Sequence, residues 1–86
     1  MQTVTLYSGP YCPYCMMAKA LLQQVGVEEI VEINSYKNPA EFQAMAEKTG
    51  ARTVPQIFIG DTHVGGFTDL RDLHRQGGLM PLLQDE

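Results

Sequence analysis

The 86-residue chain has few of the features that mark secreted, membrane or disulfide-stapled proteins. It contains two cysteines, whereas a secreted mini-protein held together by disulfide bonds usually has about four or more. No apolar run approaches the roughly 18 residues of a membrane-spanning helix. Residues 1–5 show no basic start followed by an apolar stretch, so they do not resemble a secretory signal. We therefore expect a cytoplasmic protein without a membrane partner.

Basic residues are also scarce. Six basic residues against ten acidic residues give a formal net charge of −4. A nucleic-acid-binding domain of this size would normally carry the opposite charge, so we expect no nucleic acid partner. A hydrophobic content of 44% with 19% charged residues is typical of a folded domain. We predict one domain over residues 1–86 and, by default, a monomer.

Hydrophobic patterns and turn signals predict an α/β domain with the element order β-α-β-α-β-β-α. The expected strands cover residues 3–7, 30–33, 56–59 and 62–65, and the expected helices run over residues 12–25, 39–49 and about 68–76. The first β-α-β unit must be parallel, and a turn at Gly60 and Asp61 makes the last two strands an antiparallel hairpin. The prediction is a four-stranded mixed sheet with helices on both faces, and a short terminal turn over residues 79–83.

The second predicted helix has strong start signals. The Asn38 side chain is expected to cap it, and Pro39 suits its first position. Glu41 is expected to reach back to the backbone amide of the cap residue.

A C-x-x-C motif, Cys12 to Cys15, lies between the first predicted strand and the first predicted helix. A disulfide between these residues would close almost no loop and add little stability, which indicates a role in chemistry or metal binding. Cys12 falls at the helix N-terminus, where the helix dipole and unpaired amides favour the reactive thiolate. Cys15 falls on the same helix face and is expected to be more buried. We predict that Cys12 attacks and Cys15 resolves.

A zinc site is the structural alternative for this motif, and it would need two further ligands. The candidates are His63 and His74, which the predicted elements place on a strand and on a helix. We interpret each histidine as a surface residue and predict no metal site.

A second motif is Thr53-Val54-Pro55, directly before a predicted buried strand. Proline is rare inside such strands, so Pro55 indicates either a cis bond in a tight turn or a trans proline at the strand start. The local sequence alone favours the trans bond.

A third motif, residues 65–69, contains two glycines that let the chain turn sharply and let a ligand approach the backbone. Thr68 is expected to be the N-cap of the last helix, with an anion site at the amides beyond it. Asp69 could accept a hydrogen bond from an ammonium group. Together these groups suit an α-amino-acid head group, although the five residues alone favour an ordinary helix start.

The three motifs together resemble the glutaredoxin family, in its dithiol form with a C-P-Y-C sequence. That sequence is matched by residues 12–15, the family's T-V-P motif by residues 53–55, and its glycine-rich motif by residues 65–69. The resemblance covers essentially the whole chain in length, element order and motif spacing. It implies a thioredoxin-like fold and a cis peptide bond before Pro55, beside Cys12.

The resemblance also implies a glutathione site made of Tyr14, Arg52, Thr53, Val54, Pro55, Gly66, Thr68 and Asp69. By analogy, the Val54 backbone pairs with the backbone of the tripeptide's cysteine as an added strand. Thr68 and Asp69 would hold the γ-glutamyl end, and Arg52 would pair with the glycyl carboxylate. Tyr14 would line the groove.

The implied activity is glutathione-dependent reduction of protein disulfides and of protein–glutathione mixed disulfides, with a redox-active disulfide between Cys12 and Cys15. Such an enzyme serves electron transport and cell redox homeostasis. Glutathione is its co-substrate, no cofactor is tightly bound, and the glutathione reductase system regenerates the reductant. Disulfide-containing or glutathionylated proteins are the expected clients.

At two positions the chain departs from many family members. Gly9 and Met17 stand where those members carry basic residues, and Lys19 and Lys37 are candidates to compensate. These departures leave open an electron donor that takes electrons from thioredoxin reductase. A further alternative is an iron–sulfur cluster carrier, for which Pro13 is less typical.

Overall fold

A computed structural model describes residues 1–85, and these form the predicted α/β architecture. The strands are β1 (Val4–Ser8), β2 (Ile30–Asn34), β3 (Gln56–Ile59) and β4 (Thr62–Gly65). The helices are α1 (Pro13–Gln24), α2 (Pro39–Thr49), α3 (Phe67–Arg75) and α4 (Leu79–Gln84).

The strands form a four-stranded sheet in the order β2-β1-β3-β4. β1 pairs in parallel with β2 and antiparallel with β3, and β3 pairs antiparallel with β4. In the hairpin Ile59 lies opposite Thr62, so Gly60 and Asp61 form the turn, and Gly60 has a φ of 58°. The mixed sheet and the hairpin turn are confirmed as predicted.

Alternate residues of β1 point to opposite faces of the sheet, as the pleat requires. On the first face Val4 and Leu6 join a core with α1, α3 and α4, whose buried residues include Ala18, Leu22, Leu70, Leu79 and Leu83. On the second face Thr5 and Tyr7 line a cavity with Met45 of α2. Helices therefore lie on both faces of the sheet, as predicted.

Three local predictions are wrong at the ends of helices. Residues 79–83 belong to the helix α4 rather than to a turn, because Leu79 and Leu83 are both fully buried one helical turn apart. Asn38 is the N-cap residue of α2, but its side chain makes no capping bond and instead donates from Nδ2 to the Asn34 carbonyl. The N-cap residue of α3 is Gly66 rather than Thr68, and the helix begins at Phe67.

A polar network joins β1, β2 and α1 beside the C-terminal end of β1. The hydroxyl of Ser8, which is buried, donates to Oε2 of Glu32 at 2.7 Å. Nζ of Lys19 lies 3.1 Å from Oε1 of the same carboxylate. The Ser8 hydrogen bond lowers the pKa of Glu32 most, Lys19 lowers it further, and partial burial opposes both.

The network predicts a pH-dependent contribution to stability. A carboxylate whose folded pKa lies below its unfolded pKa stabilises the fold above the unfolded value, and this contribution is lost as pH falls through the folded pKa. Ser8→Ala should therefore lower the free energy of unfolding by about 1 kcal/mol at neutral pH. The loss is small because Glu32 is half-exposed and solvent screens its charge. Urea titrations between pH 7 and about pH 3 would measure how this loss shrinks.

The matched comparison is Glu32→Gln against Glu29→Gln, since Glu29 is an exposed glutamate shortly before the same strand. Glu32→Gln should flatten the pH dependence, and Glu29→Gln should leave it in place. A Ser8→Ala penalty of equal size at both ends of the pH range would contradict the assignment.

Candidate active site

The three motifs meet at one edge of the sheet. Because β1 and β3 are antiparallel, the end of β1 lies beside the start of β3, with Tyr7 opposite Gln56. β4 is antiparallel to β3, so its last residue, Gly65, also lies at this edge, opposite Ile57. The loops after β1, before β3 and after β4 are therefore neighbours in space.

The two cysteines sit at the N-terminus of α1 and form a disulfide bond, with Cα atoms 5.2 Å apart. Cys12 is the N-cap residue, and its Sγ accepts a hydrogen bond from the Cys15 backbone N–H at 3.1 Å. Pro13 takes the first helical position, where no backbone donor is needed. Cys12 is half-buried, whereas Cys15 is 3% exposed, so an incoming molecule reaches the Cys12 sulfur first.

The loop before β3 contains a cis peptide bond between Val54 and Pro55. The trans bond that the local sequence favoured is therefore wrong, and the cis bond that the family resemblance implied is confirmed. Gly9 lies close to this loop: a Cβ built on it would be 3.2 Å from Cγ2 of Val54 and 3.3 Å from Oγ of Ser35. A side chain at residue 9 would need one of these neighbours to shift.

The loop after β4 is built around one carboxylate. The Gly66 backbone N–H donates to Oδ2 of Asp69 at 2.9 Å, and Gly66, not Thr68, is the N-cap residue of α3. Gly65 has a φ of 115°, and any Cβ there would overlap the Asp69 carboxylate. The unpaired backbone amides at the start of α3 therefore belong to residues 67–69. They include the amide of Thr68, whereas the sequence had placed them after Thr68.

An aromatic contact joins the first turns of α1 and α3. The rings of Tyr14 and Phe67 stack with centroids 6.0 Å apart and an interplanar angle of 22°. No sequence motif predicted this pair, although Phe67 directly follows the two glycines. A Cβ on Gly66 would lie 3.6 Å from the Pro55 carbonyl oxygen, so the second and third motifs are also in close contact.

Two of the predicted glutathione residues, Arg52 and Thr53, are exposed in the loop before β3. Arg52 is exposed and makes no hydrogen bond or ion pair within residues 1–85. Thr53 accepts a hydrogen bond from Nε2 of Gln56 at 3.3 Å. Lys19 is paired with Glu32, so its charge is already partly neutralised.

The histidines do not extend the cysteine pair into a metal site. His63 Nε2 lies 2.7 Å from Oε1 of Gln56, and its ring stacks on Phe58 with centroids 4.7 Å apart. Within the described part of the chain, no three His, Cys, Asp or Glu side chains are grouped so that they could hold a metal ion. Nor does any helix of residues 1–85 have the length and apolar character to cross a membrane.

The chain is similar to glutaredoxins both in sequence and in structure. The glutaredoxin family model matches residues 4–64. A glutaredoxin of Neisseria meningitidis is 59% identical over 83 residues, covering 96% of this chain and 98% of its own length. The solution structure of a Brucella melitensis glutaredoxin is 46% identical with a TM-score of 0.83, covering 98% of this chain and 90% of that one.

A further structural relative has a ligand. The crystal structure of a buckwheat glutaredoxin–glutathione complex aligns with a TM-score of 0.88 and 34% identity, covering 98% of this chain and 78% of that one. The similarities to these individual glutaredoxins cover nearly the whole chain. The chain belongs to the glutaredoxin family of glutathione-dependent thiol-disulfide oxidoreductases, and Cys12 and Cys15 are its dithiol pair.

Proposed function

We propose that this glutaredoxin reduces protein–glutathione mixed disulfides and protein disulfides, with Cys12 as the attacking sulfur and Cys15 as the resolving sulfur. The observation that carries the proposal is the difference between the two cysteines. Cys12 is half-exposed at the helix N-terminus and accepts a backbone hydrogen bond, whereas Cys15 is buried behind it. Only Cys12 combines access with a setting that stabilises a thiolate.

With a mixed disulfide as substrate, the Cys12 thiolate attacks the glutathione sulfur. A disulfide between Cys12 and glutathione forms, and the client leaves as a thiolate. A second glutathione thiolate then attacks this disulfide, which releases oxidised glutathione and restores the Cys12 thiolate. In the net reaction one glutathione thiol is consumed, the client–glutathione mixed disulfide is converted to a client thiol, and the two glutathione sulfurs leave joined as oxidised glutathione. Cys15 takes no part.

With a protein disulfide as substrate, the Cys12 thiolate attacks one client sulfur and the other client sulfur leaves as a thiolate. The Cys15 thiolate then attacks the Cys12 sulfur, which closes the Cys12–Cys15 disulfide and releases the second client thiol. The bonded state of the two cysteines is the product of this step. Two glutathione molecules reopen the bond and leave as oxidised glutathione.

The glutathione site would be built from the motifs that meet beside Cys12. The backbone of Val54 lies before β3 and makes no hydrogen bond within residues 1–85, so it is available to pair with the tripeptide backbone. The amide of Thr68 in the first turn of α3 would bind the γ-glutamyl carboxylate. Asp69 uses Oδ2 for the Gly66 cap, and its second oxygen would accept from the γ-glutamyl ammonium.

The remaining residues complete this groove on its two sides. Arg52 is the exposed cation of the loop before β3 and would pair with the glycyl carboxylate. Tyr14, held against Phe67, would line the groove opposite the Val54 loop. The glutathione complex of the buckwheat relative supports glutathione as the ligand of this groove.

The division of roles predicts that Cys15→Ser retains deglutathionylation and loses reduction of protein disulfides. The first reaction uses Cys12 alone, whereas the second needs the buried thiol to release the client. Both are measured as NADPH oxidation coupled through glutathione and glutathione reductase, first with a glutathionylated peptide and then with a disulfide-bonded protein. Cys12→Ser, the control, should lose both, and loss of both in folded Cys15→Ser protein would contradict the assignment.

The same assay also tests the electron source. Replacing glutathione and its reductase with thioredoxin reductase should abolish turnover. Sustained turnover with thioredoxin reductase alone would assign the chain to the alternative electron donor.

The position of Cys12 predicts an acidic thiol in the reduced enzyme. The N-terminal amides of α1 and the N–H donated by Cys15 favour the thiolate, so we expect the Cys12 thiol to titrate below the ordinary cysteine pKa of about 8.5. The rate of alkylation by iodoacetamide as a function of pH, measured on Cys15→Ser, gives this value. Cys12→Ser is the matched control, since the buried Cys15 should react far more slowly. An ordinary pKa for Cys12 would refute the prediction.

The two uses of the Asp69 carboxylate can be separated by substitution. Asp69→Asn keeps an oxygen that can accept from Gly66 but loses the charge that would bind the ammonium. We expect the KM for glutathione to rise about fivefold with the melting temperature nearly unchanged. Asp72→Asn, which alters an exposed aspartate in the second turn of the same helix, should change neither quantity. An unaltered KM in Asp69→Asn would exclude the proposed contact.

A further inference from the structure

The outward face of α1 is uncharged. Among residues 13–24 the one charged side chain is Lys19, which lies at the flank of the helix in its ion pair with Glu32. Elsewhere the chain carries enough acidic residues to give a net charge of −4. A charge-free helix face that is open to solvent therefore stands out from the rest of this molecule.

Two methionines of this face and a tyrosine just before the helix are exposed near the redox pair. Tyr11, in the loop before α1, is fully exposed, and Met16 and Met17 are 69% and 46% exposed. Pro13 and Ala20 are also exposed and lie on the same side of the helix by its 3.6-residue period. We call Tyr11, Pro13, Met16, Met17 and Ala20 the α1 surface.

The α1 surface lies next to Cys12, because Tyr11 and Pro13 flank this cysteine in the chain. The Met16 N–H donates to the Cys12 carbonyl at 3.3 Å, which places Met16 one helical turn beyond Cys12. Tyr14 instead lies toward α3, where it stacks on Phe67. Cys12 therefore lies near two different sets of side chains, the predicted glutathione residues and the uncharged residues of the α1 surface.

A client protein must bring one sulfur of its disulfide to Cys12. The residues that flank the client cysteine therefore contact the enzyme surface beside Cys12. A surface without charge offers no ion pair to a charged segment and would strip water from it. Methionine side chains are flexible and polarizable, and they pack against apolar groups of varied shape. Exposed apolar patches of this kind mark interaction sites.

Resting on the function proposed above, we infer that the α1 surface selects the protein client and that its partner is an uncharged, apolar segment flanking the client's disulfide cysteine. A glutathione mixed disulfide of a small thiol has no such segment and bypasses this surface. The two substrate classes of the enzyme thus differ in their dependence on Met16 and Met17.

The test compares two peptides with the same disulfide-bonded loop, one flanked by Leu and Val and the other by Ser and Glu. The wild type should show a kcat/KM about tenfold higher for the apolar peptide, which corresponds to burial of roughly 55 Å² of apolar surface. The double variant Met16→Gln/Met17→Gln should reduce this preference to about twofold, since glutamine has a similar length and helix propensity but is polar. The preference of the wild type should persist from about 0.05 M to about 0.5 M salt, because charge is not involved.

The mixed disulfide of glutathione and 2-mercaptoethanol is the internal control, and the double variant should turn it over at the wild-type rate. Val31→Thr is the matched control variant, because Val31 is an exposed apolar residue of β2 that is 49% exposed. It should retain the full preference for the apolar peptide. Circular dichroism would confirm that all variants are folded.

Each contrary outcome has a distinct meaning. Equal kcat/KM for the two peptides, with full turnover of the small mixed disulfide, would overturn this inference and leave the proposed function standing. Failure of folded wild-type enzyme to turn over the small mixed disulfide would overturn the proposed function and this inference with it. A concentration-dependent dimer in light scattering that the double variant abolishes would assign the α1 surface to a second copy of the chain, against the inference.

Discussion

The antiparallel pairing of β1 with β3 is the constraint on which the active site depends. It sets Tyr7 opposite Gln56, so the chain leaves β1 and enters β3 at the same edge of the sheet. The hairpin then returns β4 to that edge at Gly65. Had β3 run parallel to β1, the loop before β3 would lie at the far end of the sheet from Cys12. The parallel β1–β2 pair on the other side gives α1 its position over the first face, with its N-terminus at the same edge.

The two cysteines differ in exposure and in hydrogen bonding because they occupy different positions at the start of α1. The N-cap position leaves Cys12 outside the first turn and near unpaired amides, and the position three residues later turns Cys15 into the core. The same helix presents uncharged side chains to solvent beyond Cys12. One short helix thus supplies a hydrogen bond to one sulfur, burial for the other and a surface next to both.

The three loops of the site lie close to one another at glycine positions. Gly9 lies against the Val54 side chain with little room for a Cβ, and Gly66 lies near the carbonyl oxygen of Pro55. Gly65 leaves space for the Asp69 carboxylate, which caps α3 through the Gly66 amide. A larger side chain at residue 9 would need Val54 or Ser35 to move, so glycine at this position allows the loop after β1 to lie close to the loop before β3. The part of the site nearest Cys12 is consequently shaped by packing as well as by charge.

Sequence patterns alone predicted the α/β element order, the mixed sheet, the hairpin turn and the placement of Cys12 at a helix start, because periodicity, turn residues and helix caps are local properties. The three motifs were also readable from the sequence, and their joint resemblance to one family indicated the cis bond at Pro55 that local propensity argued against. Features that depend on contacts between distant residues became visible only in the folded chain. They are the stacking of Tyr14 on Phe67, the ion pair between Lys19 and Glu32, and the burial of α4. The start of α3 at Phe67 also depends on tertiary structure. The Asp69 carboxylate accepts a hydrogen bond from the Gly66 amide, so Thr68 is not needed as the cap. Local patterns fix which elements form, whereas the partners of each side chain are fixed only when the sheet brings the loops together.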